Sequence, residues 1–150
     1  MDHNWYHAQL EQQDIRLTEG RELILSVLAE HPTEHPTVEE IYLKAHEINP
    51  SIGMATVYRT VDLLVSRGLA QKFEFGEGKA RYELVPKPGE PGHHHHLICK
   101  CCNKIINYDD FLEAEKDYLA IAEKGISKRY DFCIEDHQIQ FYGYCSECVE

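Results

Sequence analysis

The chain is short of positive charge and of long apolar segments. Its 150 residues carry 15 lysines and arginines against 26 aspartates and glutamates, a net charge of −11. This balance argues against binding nucleic acid through overall charge, although it allows a local basic face. No apolar run approaches the length of a membrane span, so no membrane partner is expected. Residues 1–14 lack the basic and apolar segments of a signal peptide, and we expect a cytoplasmic protein.

The six cysteines are therefore interpreted for a reducing compartment. There, disulfides are uncommon, and CxxC pairs indicate metal binding or redox chemistry. The two pairs are Cys99 with Cys102 and Cys145 with Cys148. Four thiolates satisfy a tetrahedral Zn²⁺ completely, which predicts a closed structural site. A redox-active CxxC, or two unrelated turns, are the alternatives.

The other two cysteines are unpaired by spacing. Cys101 is expected to point away from the zinc, because only Cys99 has the CxxC spacing to Cys102. Cys133 is expected to be a small core residue.

The first 85 residues have the pattern of a winged helix-turn-helix. Apolar residues at helical spacing predict helices within 16–31, 35–48 and 49–68, after a possible short helix over 5–15. Thr18 and Ser51 are candidate N-caps, Thr37 with Glu40 matches a capping box, and Gly68 is a candidate C-cap. Alternation predicts strands in 69–75 and 79–85, joined by a glycine turn. A structural helical bundle with a hairpin is the alternative.

Residues 86–92 contain three prolines and predict a stiff hinge. Strands are expected within 93–99, 103–108 and 133–145, and a helix over 109–125 that ends at Gly125. The resulting fold class is α+β, with a winged helix-turn-helix domain over 1–85, a hinge over 86–92 and a small α/β domain over 93–150. A unit of about 60 residues commonly needs a metal or a partner subunit for stability.

A run of four histidines, residues 93–96, opens this second domain. In an extended chain His94 and His96 face one way, and His93 and His95 face the other, which predicts two separate sites. Imidazole with carboxylate suits Fe²⁺, Mn²⁺ and Zn²⁺ alike. The alternative is a solvated loop in which these histidines have no ligand.

These motifs together resemble the ferric uptake regulator (Fur) family of bacterial metal-dependent repressors. The resemblance rests on RLTEGR, HPTVEEIY, ATVYRTVDLLVSRGL, RYEL, HHHHLICKCCNKII, EDHQIQFYGYC and the terminal CSEC. It implies an N-terminal winged-helix DNA-binding domain and a C-terminal α/β domain that forms a homodimer. It also assigns the structural zinc to the two CxxC pairs.

The resemblance implies two further metal sites. A regulatory interdomain site falls on His35, Glu83, His94 and His96, and Asn107 stands where many relatives have an acidic ligand. A second site in the dimerisation domain falls on His93, His95, Glu113 and His137. Glu113 requires a gap in the alignment, so Glu115 is a rival.

DNA contacts are expected from the second helix of the helix-turn-helix, residues 53–67, whose start enters the major groove. The candidates are Thr56, Tyr58 and Arg59, with Arg16, Arg21 and Lys72 toward the phosphates. Residues 51–82 carry five lysines and arginines against three acidic residues, which makes this the positive stretch of the chain. Core packing for Tyr58 and a solvated position for Arg59 are the alternatives.

The resemblance implies a repressor that binds palindromic double-stranded operator DNA as a dimer when loaded with a divalent metal. Peroxide sensors of the family resemble one another in having Asp at the Glu83 and Asn107 positions, and zinc sensors commonly carry a cysteine near Glu83. Neither pattern is present, so Fe²⁺ is favoured by elimination, with Zn²⁺ or Mn²⁺ as alternatives. A zinc enzyme is not expected, since the chain has neither HExxH nor an H-x-E motif paired with PCxxC. A thiol redox protein, which would need an exposed CxxC with a lowered pKa, is not expected either. No small-molecule substrate is expected.

Overall fold

The computed structural model describes residues 3–30, 34–88 and 95–149. The chain divides into two compact units, residues 1–92 and residues 93–150, called here the N-terminal and C-terminal units. The described residues form five helices and two small sheets, and the predicted α+β class is confirmed. No helix among the described residues is long and apolar enough to span a membrane.

The N-terminal unit has a helical core followed by a hairpin. Its elements are α1 (Asn4–Gln12), α2 (Glu19–Glu30), α3 (Val38–Ile48), α4 (Met54–Ser66), β1 (Ala70–Glu74) and β2 (Ala80–Leu84). The two strands pair antiparallel with Ala70 opposite Leu84. Ile24, Ile41, Val57 and Val61 are fully buried, so α2, α3 and α4 share one core. The hairpin after a three-helix core is the predicted winged arrangement.

Local capping explains where α3 begins. The Thr37 side chain accepts a hydrogen bond from the Glu40 N–H (3.2 Å), and the Glu40 carboxylate accepts one from the Thr37 N–H (3.1 Å). The predicted capping box is therefore confirmed. It stabilises the helix start by satisfying two backbone donors that would otherwise lack partners.

The boundaries of α4 agree only in part with the prediction. Gly68 lies just past the helix at φ +72°, the left-handed conformation that favours glycine at this position. Ser51 is not the N-cap, because its N–H and hydroxyl both donate to the Asn49 side-chain oxygen (3.1 and 2.6 Å). Gly53 takes the N-cap position instead, with no side-chain cap.

The C-terminal unit is a three-stranded sheet with one long helix. Its elements are β3 (His95–Cys99), β4 (Ile105–Tyr108), α5 (Leu112–Tyr130) and β5 (Gln140–Gly143). The strand order is β4-β3-β5, so β3 is central. It pairs antiparallel with β4 and parallel with β5.

Three expectations for this unit are wrong. The helix does not end at Gly125 but continues to Tyr130 and ends where Asp131 takes φ +49°, because the ~1 kcal/mol cost of an interior glycine does not by itself stop a helix. The last strand is limited to Gln140–Gly143, since it pairs only with residues 96–99 of the short β3. Cys133 lies just before it and is exposed.

The long helix α5 has no buried residue. Several large apolar side chains on it are more than half exposed: Tyr118, Ile121 and Tyr130. Phe141 and Tyr142 on β5 are also about half exposed. A monomer rarely leaves so much apolar surface uncovered, so this surface indicates an interaction site.

Candidate metal centres

The structure brings the two CxxC motifs together at one end of the three-stranded sheet. Cys99 ends β3, and Cys145 follows β5, which runs parallel to it with Cys99 opposite Gly143. The Sγ atoms of Cys99, Cys102, Cys145 and Cys148 all lie within 4.8 Å of one another. Cys101 is exposed and lies outside this group.

Backbone N–H groups favour the thiolate form of Cys99 in this cluster. The Cys145 N–H donates to Cys99 Sγ (3.4 Å), and Cys102 Sγ lies 3.8 Å from Cys145 Sγ. Backbone N–H groups of Cys102 and Cys145 lower the pKa of Cys99 to about 6. The crowded neighbouring sulfurs, Cys145 first, raise the pKa of Cys148. One thiolate therefore forms readily while the last is disfavoured without a cation, which is the donor chemistry that Zn²⁺ satisfies.

A buried imidazole–carboxylate pair lies in the N-terminal unit. His35 precedes the α3 cap and Glu83 lies on β2, and their side chains are 2% and 6% exposed. His35 Nε2 lies 3.0 Å from Glu83 Oε2. A buried carboxylate is costly unless a proton donor or a cation compensates it. The pair therefore offers two metal ligands that are already in place.

Several contacts fix the position of His35. The Arg81 guanidinium donates to the His35 carbonyl oxygen (2.8 Å), and it also donates to the Glu77 carboxylate (2.6 Å). The rings of Phe73 and Phe75 meet the imidazole edge-on at 5.8 and 5.6 Å. The hairpin thus holds both the backbone and the ring of this histidine. Arg81 belongs to the RYEL motif, but no role was predicted for it or for the two phenylalanines.

Two of the four consecutive histidines lie in β3, and His93 and His94 lie outside the described residues. His95 and His96 are adjacent on the strand and both are buried. His96 is opposite Asn107 of β4, whereas His95 is opposite Tyr108. Paired residues of neighbouring strands share one face of a sheet, so the two histidines lie on opposite faces. The amide of Asn107 is thus the cross-strand neighbour of His96.

The face that carries His95 also carries groups from α5 and from the segment before β5. His95 Nδ1 lies 3.1 Å from Glu115 Oε2, and its ring centroid is 5.9 Å from that of His137. The Tyr108 hydroxyl donates to Glu115 (2.9 Å), and burial together with this bond raises the pKa of Tyr108 to about 12. The contact with His95 is made by Glu115, the rival of Glu113, whereas Glu113 lies two residues earlier in the same turn of α5 and is exposed.

Glu123 is a candidate partner of the His137 imidazole, and it was not predicted from the sequence. Its carboxylate lies 2.8 Å from His137 Nδ1 and orients this imidazole. A carboxylate behind an imidazole is the usual second partner of a metal-bound histidine. Its spacing of eight residues from Glu115, about two turns of α5, was the available signal.

The start of α4 exposes the predicted DNA-contact residues unequally. Tyr58 is 45% exposed and Arg59 is exposed as well, so core packing of Tyr58 is ruled out within this chain. Thr56 is only half exposed, because its methyl group packs close to Gly20 of α2. Ala55 lies on the same exposed face, three residues before Tyr58, and was missed.

The candidate phosphate contacts also differ. Arg16 and Lys72 are exposed. Arg21 is half-buried and donates to the Arg16 carbonyl oxygen (2.7 Å), so part of its hydrogen-bonding capacity is used within the chain. Lys79 on the hairpin turn is exposed and was not predicted.

Comparison with known proteins decides the family. The model of the ferric uptake regulator family matches residues 12–142. The chain belongs to the ferric uptake regulator family. It is 39% identical over 140 residues to the ferric uptake regulation protein of Bacillus subtilis (strain 168), covering 93% of this chain and 89% of that one.

Solved structures agree with this assignment. The ferric uptake regulator of Pseudomonas aeruginosa with manganese is similar at a TM-score of 0.72 and 26% identity, covering 93% of this chain and 97% of that one. The regulator from Vibrio cholerae is similar at 0.70 and 28%, covering 93% and 99%. Members of the ferric uptake regulator family are transcriptional regulators and not enzymes, so the chain is a metal-responsive regulator and the non-enzyme prediction is confirmed.

Proposed function

We propose that this regulator is a repressor that binds palindromic operator DNA as a homodimer when a divalent metal is bound. His35, Glu83, His94 and His96 are the proposed ligands of the regulatory ion. His35 and Glu83 belong to the unit with the helix-turn-helix, whereas His94 and His96 belong to the other unit. An ion that takes ligands from both units would link metal binding to DNA binding.

The observation that carries this proposal is the buried pair of His35 and Glu83. The two donors are 3.0 Å apart and both are buried. Both residues are positioned by the N-terminal unit, because His35 lies just before α3 and packs against Phe73 and Phe75, and Glu83 lies on β2. A cation at this pair would neutralise the buried carboxylate and fix the start of α3 relative to β2.

Linkage then determines the sign of regulation. If metal favours the state that binds DNA, DNA must raise metal affinity by the same factor. Allosteric coupling of about 1–3 kcal/mol corresponds to roughly 5–150-fold in affinity. This is sufficient for repression that responds to the free metal concentration.

The exposed face of α4 is the proposed reading surface. Tyr58 and Arg59 are exposed near its start, and Ala55 adds a small apolar contact suited to a thymine methyl group. Arg16 and Lys72 would contact phosphates, while the partly engaged Arg21 and the packed Thr56 are weaker candidates.

The apolar surface of α5 and β5 supports homodimer formation. A helix of 19 residues without a fully buried side chain gains little apolar burial from its own chain. A second copy that covers Tyr118, Ile121 and Tyr130 would supply the missing contacts. Stable interfaces bury about 800 Å² per partner, and these exposed side chains would supply part of that area.

Zn²⁺ in the four-cysteine cluster is the proposed structural ion. Fe²⁺ is the proposed regulatory ion, with Zn²⁺ or Mn²⁺ as the alternative, since the relatives are named for iron and one is described with manganese. The proposed second site in the C-terminal unit uses His93, His95 and His137. Glu115 replaces Glu113 there because of its 3.1 Å approach to His95.

The test is the affinity for a palindromic duplex, measured by fluorescence anisotropy under anaerobic titration with Fe²⁺, Mn²⁺ and Zn²⁺ separately. The cysteine cluster is filled with zinc beforehand. His96→Ala should remove the metal-dependent gain in affinity while the protein remains dimeric. His46→Ala is the matched control, because His46 is an exposed histidine outside the proposed sites. A metal response in His96→Ala equal to that of the control contradicts the proposal.

A further inference from the structure

The N-terminal helix presents two histidines that none of the sites above uses. His3 precedes the first residue of α1, and His7 lies one turn later; the His7 N–H donates to the His3 carbonyl oxygen (3.3 Å). Their ring centroids are 4.8 Å apart. Residues four apart lie on the same side of a helix, so both imidazoles face one direction.

A carboxylate from the next helix completes the group. Glu22 lies in the first turn of α2, and one donor atom from each of His3, His7 and Glu22 lies within 4.8 Å of the others. A histidine pair on one helix is a weak signal by itself. A third ligand from a separate helix is a stronger signal, because tertiary packing and not helical spacing brings it close to the two histidines.

The rotational setting of α1 explains why the imidazoles face α2. Tyr6 and Leu10 are buried in the core, and the Tyr6 hydroxyl donates to the Val85 carbonyl oxygen (2.6 Å). These contacts fix the inner side of the helix. His3 lies three residues before Tyr6 and His7 one residue after it, so the packing of Tyr6 fixes the direction in which this part of the helix surface faces.

One donor of this group has an unmet requirement. His7 Nε2 is shielded from solvent and has no hydrogen-bond partner among the described residues. A buried polar nitrogen without a partner is uncommon in native proteins and calls for an explanation, such as a bound ion. A cation beside His7 would provide one.

We infer that His3, His7 and Glu22 form an additional site for a borderline divalent transition ion, of the class of Zn²⁺, Ni²⁺ or Cu²⁺. Two imidazoles with one carboxylate suit these ions, whereas Ca²⁺ and Mg²⁺ prefer oxygen ligands alone. Ligands about 2.0–2.2 Å from one ion lie at most about 4.4 Å apart, so small side-chain rotations close the group. The remaining coordination positions are open to water.

An ion at this site would fasten α1 to the start of α2. Glu22 lies in the first turn of α2, where the helix dipole favours a carboxylate, and its coordination would join this turn to α1. The site lies wholly within the N-terminal unit and shares no ligand with the proposed regulatory or structural sites. It does not rest on the proposed function.

The test uses the full chain with zinc in the cysteine cluster. Ni²⁺ and Zn²⁺ are added at buffered free concentrations, and bound metal is counted by mass spectrometry after gel filtration. Glu22→Gln removes one ligand from an exposed position and should leave the fold intact. We expect it to bind one ion fewer than the unmodified chain, with affinity at the site reduced by more than the roughly 10- to 100-fold that losing a mere outer partner of a ligand costs.

A second readout is specific to this location. Hydrogen exchange of the α1 amides, residues 4–12, should slow when Ni²⁺ is added to the unmodified chain, and it should not respond in Glu22→Gln or His7→Ala. Glu11→Gln and His46→Ala are controls that keep the response, since both residues are exposed and outside the group. Equal metal counts and equal α1 protection in Glu22→Gln and Glu11→Gln would overturn the inference.

Discussion

Replacing Cys145 with serine tests the structural site and has a magnitude that follows from the fold. Cys102 and Cys145 are 43 residues apart along the chain, and the ion would join them across α5 and β5. Closing a loop of that length lowers the conformational entropy of the unfolded chain. On the chain-entropy model this stabilises the folded state by about 4 kcal/mol at 25 °C. Whole proteins have roughly 5–15 kcal/mol of stability, so this loss is large for a small unit.

Unit-specific measurements separate this effect from general damage. Zinc content is measured by mass spectrometry, and hydrogen exchange of β3 and β5 amides reports on the C-terminal unit. The single tryptophan, Trp5, lies in α1, so its fluorescence follows the N-terminal unit. Cys145→Ser should lose zinc and exchange faster in β3 and β5, while the Trp5 transition changes little at a fixed protein concentration.

Cys101→Ser is the matched control, because Cys101 is exposed and outside the cluster. It should retain zinc and the exchange protection of the unmodified chain. If Cys145→Ser still holds one zinc per chain with unchanged protection of β3 and β5, the four-thiolate assignment is refuted.

Three further predictions concern the ligand shell, the interface and pH. Asn107→Glu should raise affinity for the regulatory metal by about tenfold, or about 1.4 kcal/mol, because it places a charge opposite His96; Asn107→Gln is the neutral control in a metal-competition assay. Ile121→Glu should shift the chain toward monomer in analytical ultracentrifugation, since Ile121 is 76% exposed on α5; an unchanged mass would exclude α5 from the interface. The hydrogen bond from Arg81 lowers the pKa of Glu77, so the pair stabilises the N-terminal unit above the ordinary glutamate pKa of 4.5 and loses this as pH falls through the folded value. Glu77→Gln should therefore flatten the acid side of the Trp5 stability profile, and an unaltered profile would argue against this contribution.

Local signals in the sequence were sufficient for much of the fold. The Thr37–Glu40 capping box and Gly68 after α4 act through their own backbone neighbourhood, and both lie where they were expected. The CxxC spacing was similarly informative, because two residues allow both sulfurs of a turn to point at one ion. Cys99, Cys102, Cys145 and Cys148 do converge.

Features that depend on competition or on tertiary contacts were not predictable in this way. Ser51 has a side chain suitable for capping, but its hydroxyl and its N–H both donate to the Asn49 side chain instead. Glu113 and Glu115 differ only in the rotational setting of α5, which a sequence pattern does not fix. Glu123 became visible only when the fold placed it 2.8 Å from His137. The ligand roles of these residues remain predictions.

The central position of β3 has a mechanical consequence for the whole C-terminal unit. Because side chains alternate along a strand, a slip of one residue would exchange the faces of His95 and His96 and place each imidazole among the wrong neighbours. Cys99 ends the same strand, three residues beyond His96, and belongs to the sulfur cluster. A zinc ion held there would fix the register of β3, so that the proposed structural metal would also keep His95 and His96 on the faces where their proposed metal sites lie.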